Sequence, residues 1–130
     1  MEESEQERRD WLQRIGKTIV DQIMQSVSIS VWFSWGVTHP TFTYYYDMPS
    51  LAFVANGALH KGWVIVSLNE GVDLYEIYLI AKDNQTVLKK VEGVYNDMLG
   101  KTLDGLIERP SGISNDEYLK LLRERGEPLL

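Results

Sequence analysis

The chain contains no cysteine. That absence removes a disulfide framework, a thiolate nucleophile and cysteine-ligated zinc together. Histidine is scarce as well: His39 stands before Pro40 and His60 before Lys61. Neither belongs to an HxxxH, HxH or histidine-plus-carboxylate spacing, so no metal site is expected, and both read as surface imidazoles. Long apolar runs are also missing. A secretory signal needs at least about seven apolar residues behind a basic start, and a membrane-spanning helix needs roughly 18 to 20. The opening stretch from Met1 to Asp10 is acidic and polar, and no later run reaches the second length. The expected compartment is the cytoplasm, with no membrane partner.

The glycines sit singly, at turns or within helical patterns, and nowhere cluster into a loop that would cradle a phosphate. No dinucleotide fingerprint, phosphate loop or Gly-x-Ser-x-Gly elbow is present. Positive charge is in deficit, with 13 Lys and Arg against 19 Asp and Glu and a net charge of −6. Non-specific nucleic-acid binding draws most of its affinity from basic side chains on phosphates, so a nucleic-acid partner is not expected. The neighbouring Lys89 and Lys90 read as part of a solvated helix face. An acidic chain stays soluble and suits a basic partner.

What is present describes one ordinary domain. At 130 residues a chain buries on folding roughly two thirds of the surface it exposes unfolded, which is enough without metal or disulfide. The 44% hydrophobic and 25% charged content is that of a globular protein. The most informative stretch runs from Leu51 to Ile80. It holds three strand-like runs, Leu51 to Ala55, about Ala58 to Leu68, and Val72 to Ile80, separated by Asn56-Gly57 and Asn69-Glu70-Gly71. Both separators are hairpin signals, and Asn-Gly suits a type I′ turn.

Glu5 to about Gln25 reads as an amphipathic helix. Trp11, Ile15, Ile19 and Ile23 recur every four residues, and Gly16 inside the stripe points to a close approach by a neighbour. The period then drops to two, as Val27, Ile29, Val31, Phe33 and Trp35 alternate with Ser28, Ser30, Trp32 and Ser34, the pattern of a strand. Thr41 to Tyr46 reads as a second strand, and Asp47-Met48-Pro49 ends it. Asp83-Asn84 offers an N-cap, and a helical period follows from Thr86 to about Glu108. Pro110-Ser111-Gly112 stops that helix, and Ser114 to Glu117 forms a capping box for a short final helix. The expected fold is α+β: an N-terminal helix, a five-stranded antiparallel meander, a long C-terminal helix and a short terminal one, with the helices on one face of the sheet.

One set of alternating positions is apolar, comprising Val27, Ile29, Val31, Phe33 and Trp35 with Tyr75, Ile77 and Leu79, and it is expected beneath the helices. The other set carries Trp32 among serines, with Glu76 and Tyr78. The strand from Thr41 adds hydroxyls whichever way it faces, as Thr41, Thr43 and Tyr45 or as Tyr44 and Tyr46. Tyr and Trp join large apolar area to a polar handle, so they suit a surface that meets a partner. The candidate partner or ligand surface is therefore Trp32, Tyr45, Trp63, Glu76 and Tyr78. Glu76 is the one carboxylate at a strand centre, where burial would raise its pKa and fit it for acid–base work. Asp73, three positions away, would point to the opposite face, so the two acids do not pair. No catalytic residue, metal ligand or cofactor is assigned.

The pattern Met-Pro-x-Leu-x-Phe, Asn-Gly, Lys-Gly-Trp-Val-x-Val, Asn-Glu-Gly and Asp-Leu-Tyr-Glu between Met48 and Glu76 resembles that of a family of small uncharacterised bacterial proteins, some carried on mobile elements. The resemblance implies a compact α+β domain and no particular activity. In size, acidity and outer helices the chain is also similar to dimeric secretion chaperones. It departs from them in having Asn56-Gly57, not a helix, between the third and fourth strands. The expected function is a non-enzymatic interaction module whose partner is a protein, first of all a second copy. The alternatives are an enzyme or small-ligand binder with an aromatic pocket, and a secretion-chaperone-like acidic dimer.

Overall fold

The computed structural model describes residues 4–108 together with residues 116, 117 and 120. Helix α1 (Glu5–Ser26) begins at Ser4, whose hydroxyl accepts a hydrogen bond from the Glu7 N–H at 3.1 Å. Glu5 and Glu7 in its first turn complement the helix dipole. Ile15, Ile19 and Ile23 are buried, as their four-residue repeat requires. Gly16 meets the ring of Phe42, which would lie 2.4 Å from any Cβ added there.

The expected strand through Val27 to Trp35 is instead a short helix, α2 (Ile29–Ser34). Ser28 caps it by accepting from the Val31 N–H at 3.3 Å. The alternation of period two hides a second pattern that the helix uses. Ser30, Val31, Ser34 and Trp35 fall on one side and are buried, while Ile29 and Phe33 remain 40% and 47% exposed. The N-cap at Ser28 favours a helix start, and the buried Ser34 hydroxyl is satisfied by the Val31 carbonyl, so this side of the helix can be buried. Val31 and Trp35 thus reach the core, and Ile29 and Phe33, expected there, do not.

The sheet is a five-stranded antiparallel meander in sequence order: β1 (Thr38–Tyr45), β2 (Met48–Asn56), β3 (Lys61–Asn69), β4 (Leu74–Ile80) and β5 (Val87–Val94). The fold is α+β as expected, but its fifth strand comes from the segment expected to open the long helix. The Asp83 carboxylate does take the N–H groups of Gln85 and Thr86, each at 2.9 Å. Those bonds close a hairpin, since Ala81 N–H reaches the Thr86 carbonyl and Asn84 adopts φ 63°. Val87, Val91 and Val94 suit both periods, and β-branched residues favour the strand once β4 offers a partner. A 3-10 turn (Asn96–Met98) and helix α3 (Leu99–Ile107) follow. The short helix expected from Ser114 lies outside the described residues, apart from Asp116, Glu117 and Lys120, which are helical.

The turns also differ from expectation. The two-residue hairpin turn is Tyr46-Asp47, both with positive φ (48° and 62°), joining the pair Tyr45 and Met48. Asn56 pairs with Lys61, so Gly57 to His60 form a longer loop. That loop docks on the end of α3: the Ile107 carbonyl accepts from Leu59 and His60, and Glu108 Oε2 accepts from the Ala58 N–H at 2.6 Å. Gly57 permits this, because a Cβ there would stand 2.2 Å from the Ile107 carbonyl oxygen. His60 is buried here, its Nε2 3.0 Å from the Trp63 carbonyl oxygen, and so is not the surface imidazole expected.

α1, α2 and α3 cover one face of the sheet. The core between them holds Leu51, Phe53, Val64, Val66, Tyr75, Ile77 and Leu79 with Ile19, Ile23, Trp35, Leu99, Leu103 and Ile107. Trp35 lies parallel to Phe53 and donates its indole N–H to Asp104 of α3 at 2.9 Å. No described helix is long and apolar enough to cross a membrane.

Candidate functional site

On the other face no helix covers the sheet among the described residues, and the register decides what is displayed there. Trp63, Ile65 and Ser67 of β3 stand opposite Val54, Ala52 and Ser50 of β2. Ile65 and Ser67 stand opposite Tyr78 and Glu76 of β4, and Tyr78 opposite Lys90 of β5. On β1, Tyr45 pairs with Met48, which places Thr41, Thr43 and Tyr45 on this side. Phe42 and Tyr44 turn the other way, Phe42 onto Gly16 and Tyr44 onto the Arg8 carbonyl of α1.

The centre of this face is a small second core of Ala52, Ile65, Tyr78 and Ile80, with Tyr45, Met48 and Trp63 packed against it. The tyrosines interlock: Tyr45 meets Tyr46 edge-on at 4.7 Å and Tyr78 at 4.8 Å between ring centroids. Tyr46 reaches Tyr78 at 6.5 Å although its own side chain is largely exposed. Such geometries are favoured by the ring quadrupoles.

A polar line crosses the sheet beside this cluster. Ser50 donates to the Met48 carbonyl at 2.8 Å, so the 2.7 Å contact between Ser50 and Ser67 has Ser67 as donor. Glu76, opposite Ser67, accepts from the Tyr78 hydroxyl at 2.6 Å and from Asn69 Nδ2 at 2.9 Å. These two bonds hold its carboxyl below the usual range, against the opposing effect of burial. Burial, and next the bond to Glu76, push Tyr78 up to about 12. A carboxylate shifted downward and a phenol shifted upward are a fixed acceptor and donor at neutral pH, not a proton-transfer pair. The raised pKa expected of Glu76 is thus reversed, because its burial is outweighed by hydrogen bonds to its charged form. Lys90 Nζ lies 2.6 Å from Glu92 Oε1, 3.9 Å from Glu76 Oε1 and 5.5 Å from the Tyr78 ring centre. Its ammonium is held above the usual range first by Glu92.

Shallow grooves among the described residues flank the rings. One of about 330 Å³ runs past Trp63 between Lys61 and Lys82, and one of about 250 Å³ lies between Trp63 and Tyr45. Another, of about 460 Å³, is lined by Tyr46, Met48, Glu76, Tyr78, Val87 and Lys90. Among the described residues no cluster of three or more acidic or histidine side chains is placed to hold a metal.

Of the five residues singled out from sequence, Tyr45, Trp63, Glu76 and Tyr78 share this face. Trp32 does not: it belongs to α2 and packs on Trp35 and Phe53 beneath the sheet, at 5.4 and 5.6 Å. Sequence reasoning left out Tyr46, Met48, Asn69 and Lys90. Lys90 was hidden by the helical reading of β5, while Met48 follows from its pairing with Tyr45 once the turn is known. No family model, curated protein or solved structure matches the chain.

Proposed function

We propose that this protein is a non-enzymatic interaction module whose first partner is a second copy of itself, docked through the sheet face opposite the helices. The observation that carries the reading is the cluster of Tyr45, Tyr46, Met48, Trp63 and Tyr78 on a face with no described helix over it. Aromatic residues and Met are enriched at the centres of protein interfaces. Both sheet edges are poor alternatives. β1 is interrupted by a register shift near His39, at φ 55°, and Pro40, while β5 is kinked at Gly93 and carries Lys89 and Lys90. The face also bears both signs of charge, Glu76 beside Lys90, so a two-fold axis that sets one copy's Glu76 against the other's Lys90 would join opposite charges.

Sedimentation velocity across roughly micromolar to millimolar concentration tests this, since a micromolar dimer corresponds to about −8 kcal/mol. Concentration-dependent dimerisation abolished by Trp63→Glu is expected. A strict monomer throughout the range would overturn the reading. The aromatic-pocket alternative is favoured by groove volumes close to the roughly 300 Å³ at which ligand sites begin. The secretion-chaperone alternative shares the acidity and outer helices; the Gly57 to His60 loop supplies no helix between β2 and β3.

A further inference from the structure

The groove of about 460 Å³ beside Glu76 combines three things. Its inner end holds a carboxylate fixed in place, with Asn69 and Tyr78 each donating to one oxygen of Glu76. Its walls are the rings of Tyr46 and Tyr78 and the apolar side chains of Met48 and Val87. It already admits an ammonium group, because Lys90 Nζ stands near both the Tyr78 ring and Glu76. Lys90 makes its closest contact elsewhere, on Glu92. Its ammonium therefore has a partner to retreat to and is not committed to Glu76.

A carboxylate beside aromatic faces is the chemistry that recognises an organic cation. Each Glu76 oxygen already accepts one hydrogen bond, and the aromatic and apolar lining rewards a cation that carries its own methyl surface. A quaternary ammonium is such a cation. The turn adds an independent sign. Tyr46 occupies a left-handed position of a type I′ turn, where Asn or Gly is the favoured choice. A tyrosine kept there at a conformational cost places a ring over the groove, and strain of this kind gathers at ligand clamps. We propose that the groove between Tyr46 and Tyr78 binds a small trimethylammonium compound, with Glu76 as its counter-ion and Lys90 as the internal cation it displaces.

The test titrates choline chloride into the full chain, followed by calorimetry and tyrosine proton shifts, with sodium chloride at equal ionic strength as control. Saturable choline binding is expected, specific over sodium. Lys90→Ala should tighten it about threefold by removing the competitor. Tyr46→Asn and Glu76→Gln should each weaken it about tenfold or more. Tyr46→Asn replaces an exposed side chain with a residue that favours the turn, so loss of binding there does not reflect loss of fold. Absence of saturable binding in both the native protein and Lys90→Ala would overturn the proposal, as would undiminished binding by Glu76→Gln. The groove lies within one copy, so choline binding by a strict monomer would sink the second-copy reading and leave this one standing.

Discussion

On the helix-covered side of the sheet, Phe53, Val64, Val66 and Ile77 are completely buried beneath α1, α2 and α3. On the opposite side, Ala52, Ile65, Tyr78 and Ile80 are 5 to 9% exposed with no described helix over them. The first group is closed by contacts between elements far apart in the chain. The second is closed by its own neighbours in the sheet, chiefly Tyr45, Met48 and Trp63, leaning over the strands. The meander is therefore shielded on one face by helices and on the other by aromatic side chains of the sheet itself. The difference is one of packing depth, and packing depth is measurable.

The sharpest test substitutes one residue from each side. Phe53→Ala should cost about 3–5 kcal/mol, since a completely buried ring leaves a cavity that helices and sheet cannot both collapse around. Ile65→Ala on the open face should cost about 2 kcal/mol, at the low end for such truncations, because Tyr45 and Trp63 can settle into the space. Urea unfolding of both variants measures the gap. Equal losses would mean that the open face is packed as tightly as the covered one. Next in size is the joint between the β2–β3 loop and α3. Gly57→Ala would drive a methyl group into the Ile107 carbonyl and should cost about 1–3 kcal/mol, as overpacking typically does. A neutral result would show that the loop lifts from α3 without penalty.

The two sides were also unequally legible in the sequence. Tyr75, Ile77 and Leu79 show their alternation plainly and lie where it puts them, and the four-residue repeat of Ile15, Ile19 and Ile23 does the same for α1. Two segments did not declare themselves. Val27 to Trp35 satisfies a strand pattern and, through Ser30, Val31, Ser34 and Trp35, a helix stripe as well. Val87 to Val94 satisfies a helix pattern and a strand. In both, the deciding facts are non-local: β2 already has β1 and β3 beside it, and β4 needs a second neighbour. The errors cancel in the strand count but not at the site. Trp32 moves from the open face to the core, and Lys90 moves from a solvated helix to the groove beside Glu76. The sequence marks this break at Asp47-Met48-Pro49, one residue late, because tyrosine is an uncommon occupant of a left-handed position.

That turn supplies the third comparison. Tyr46→Asn removes a ring from the open face and relieves a backbone conformation that costs ordinary residues roughly 1–2 kcal/mol. Since the ring is 77% exposed, little packing is lost, and a net stabilisation of about 0.5–1 kcal/mol is expected in urea unfolding. Destabilisation would mean that Tyr46 contributes more to the cover over Tyr78 than its exposure suggests.

The smallest effect compares one tyrosine from each face. Tyr75 on the covered side and Tyr78 on the open side are both pushed up to about 12, from 10, first by burial. The second cause differs: the charge of Asp73 acts on Tyr75, whereas Tyr78 donates its hydrogen bond to Glu76. A raised folded-state pKa means that the folded protein holds the proton more tightly than the unfolded chain. The stabilisation is then fully present below about pH 10 and lost as pH rises towards about 12. Glu76 works in the opposite sense, its lowered pKa adding stability above its ordinary value that disappears as acid protonates the folded form. Glu76→Gln removes the carboxylate charge and should bring the Tyr78 titration down, leaving that of Tyr75 unchanged. Tyrosinate absorbance during alkaline titration resolves the two, with Tyr75→Phe and Tyr78→Phe assigning the steps. If Glu76→Gln moves neither step, burial alone keeps Tyr78 protonated, and the polar line across the open face is a passive feature of the sheet.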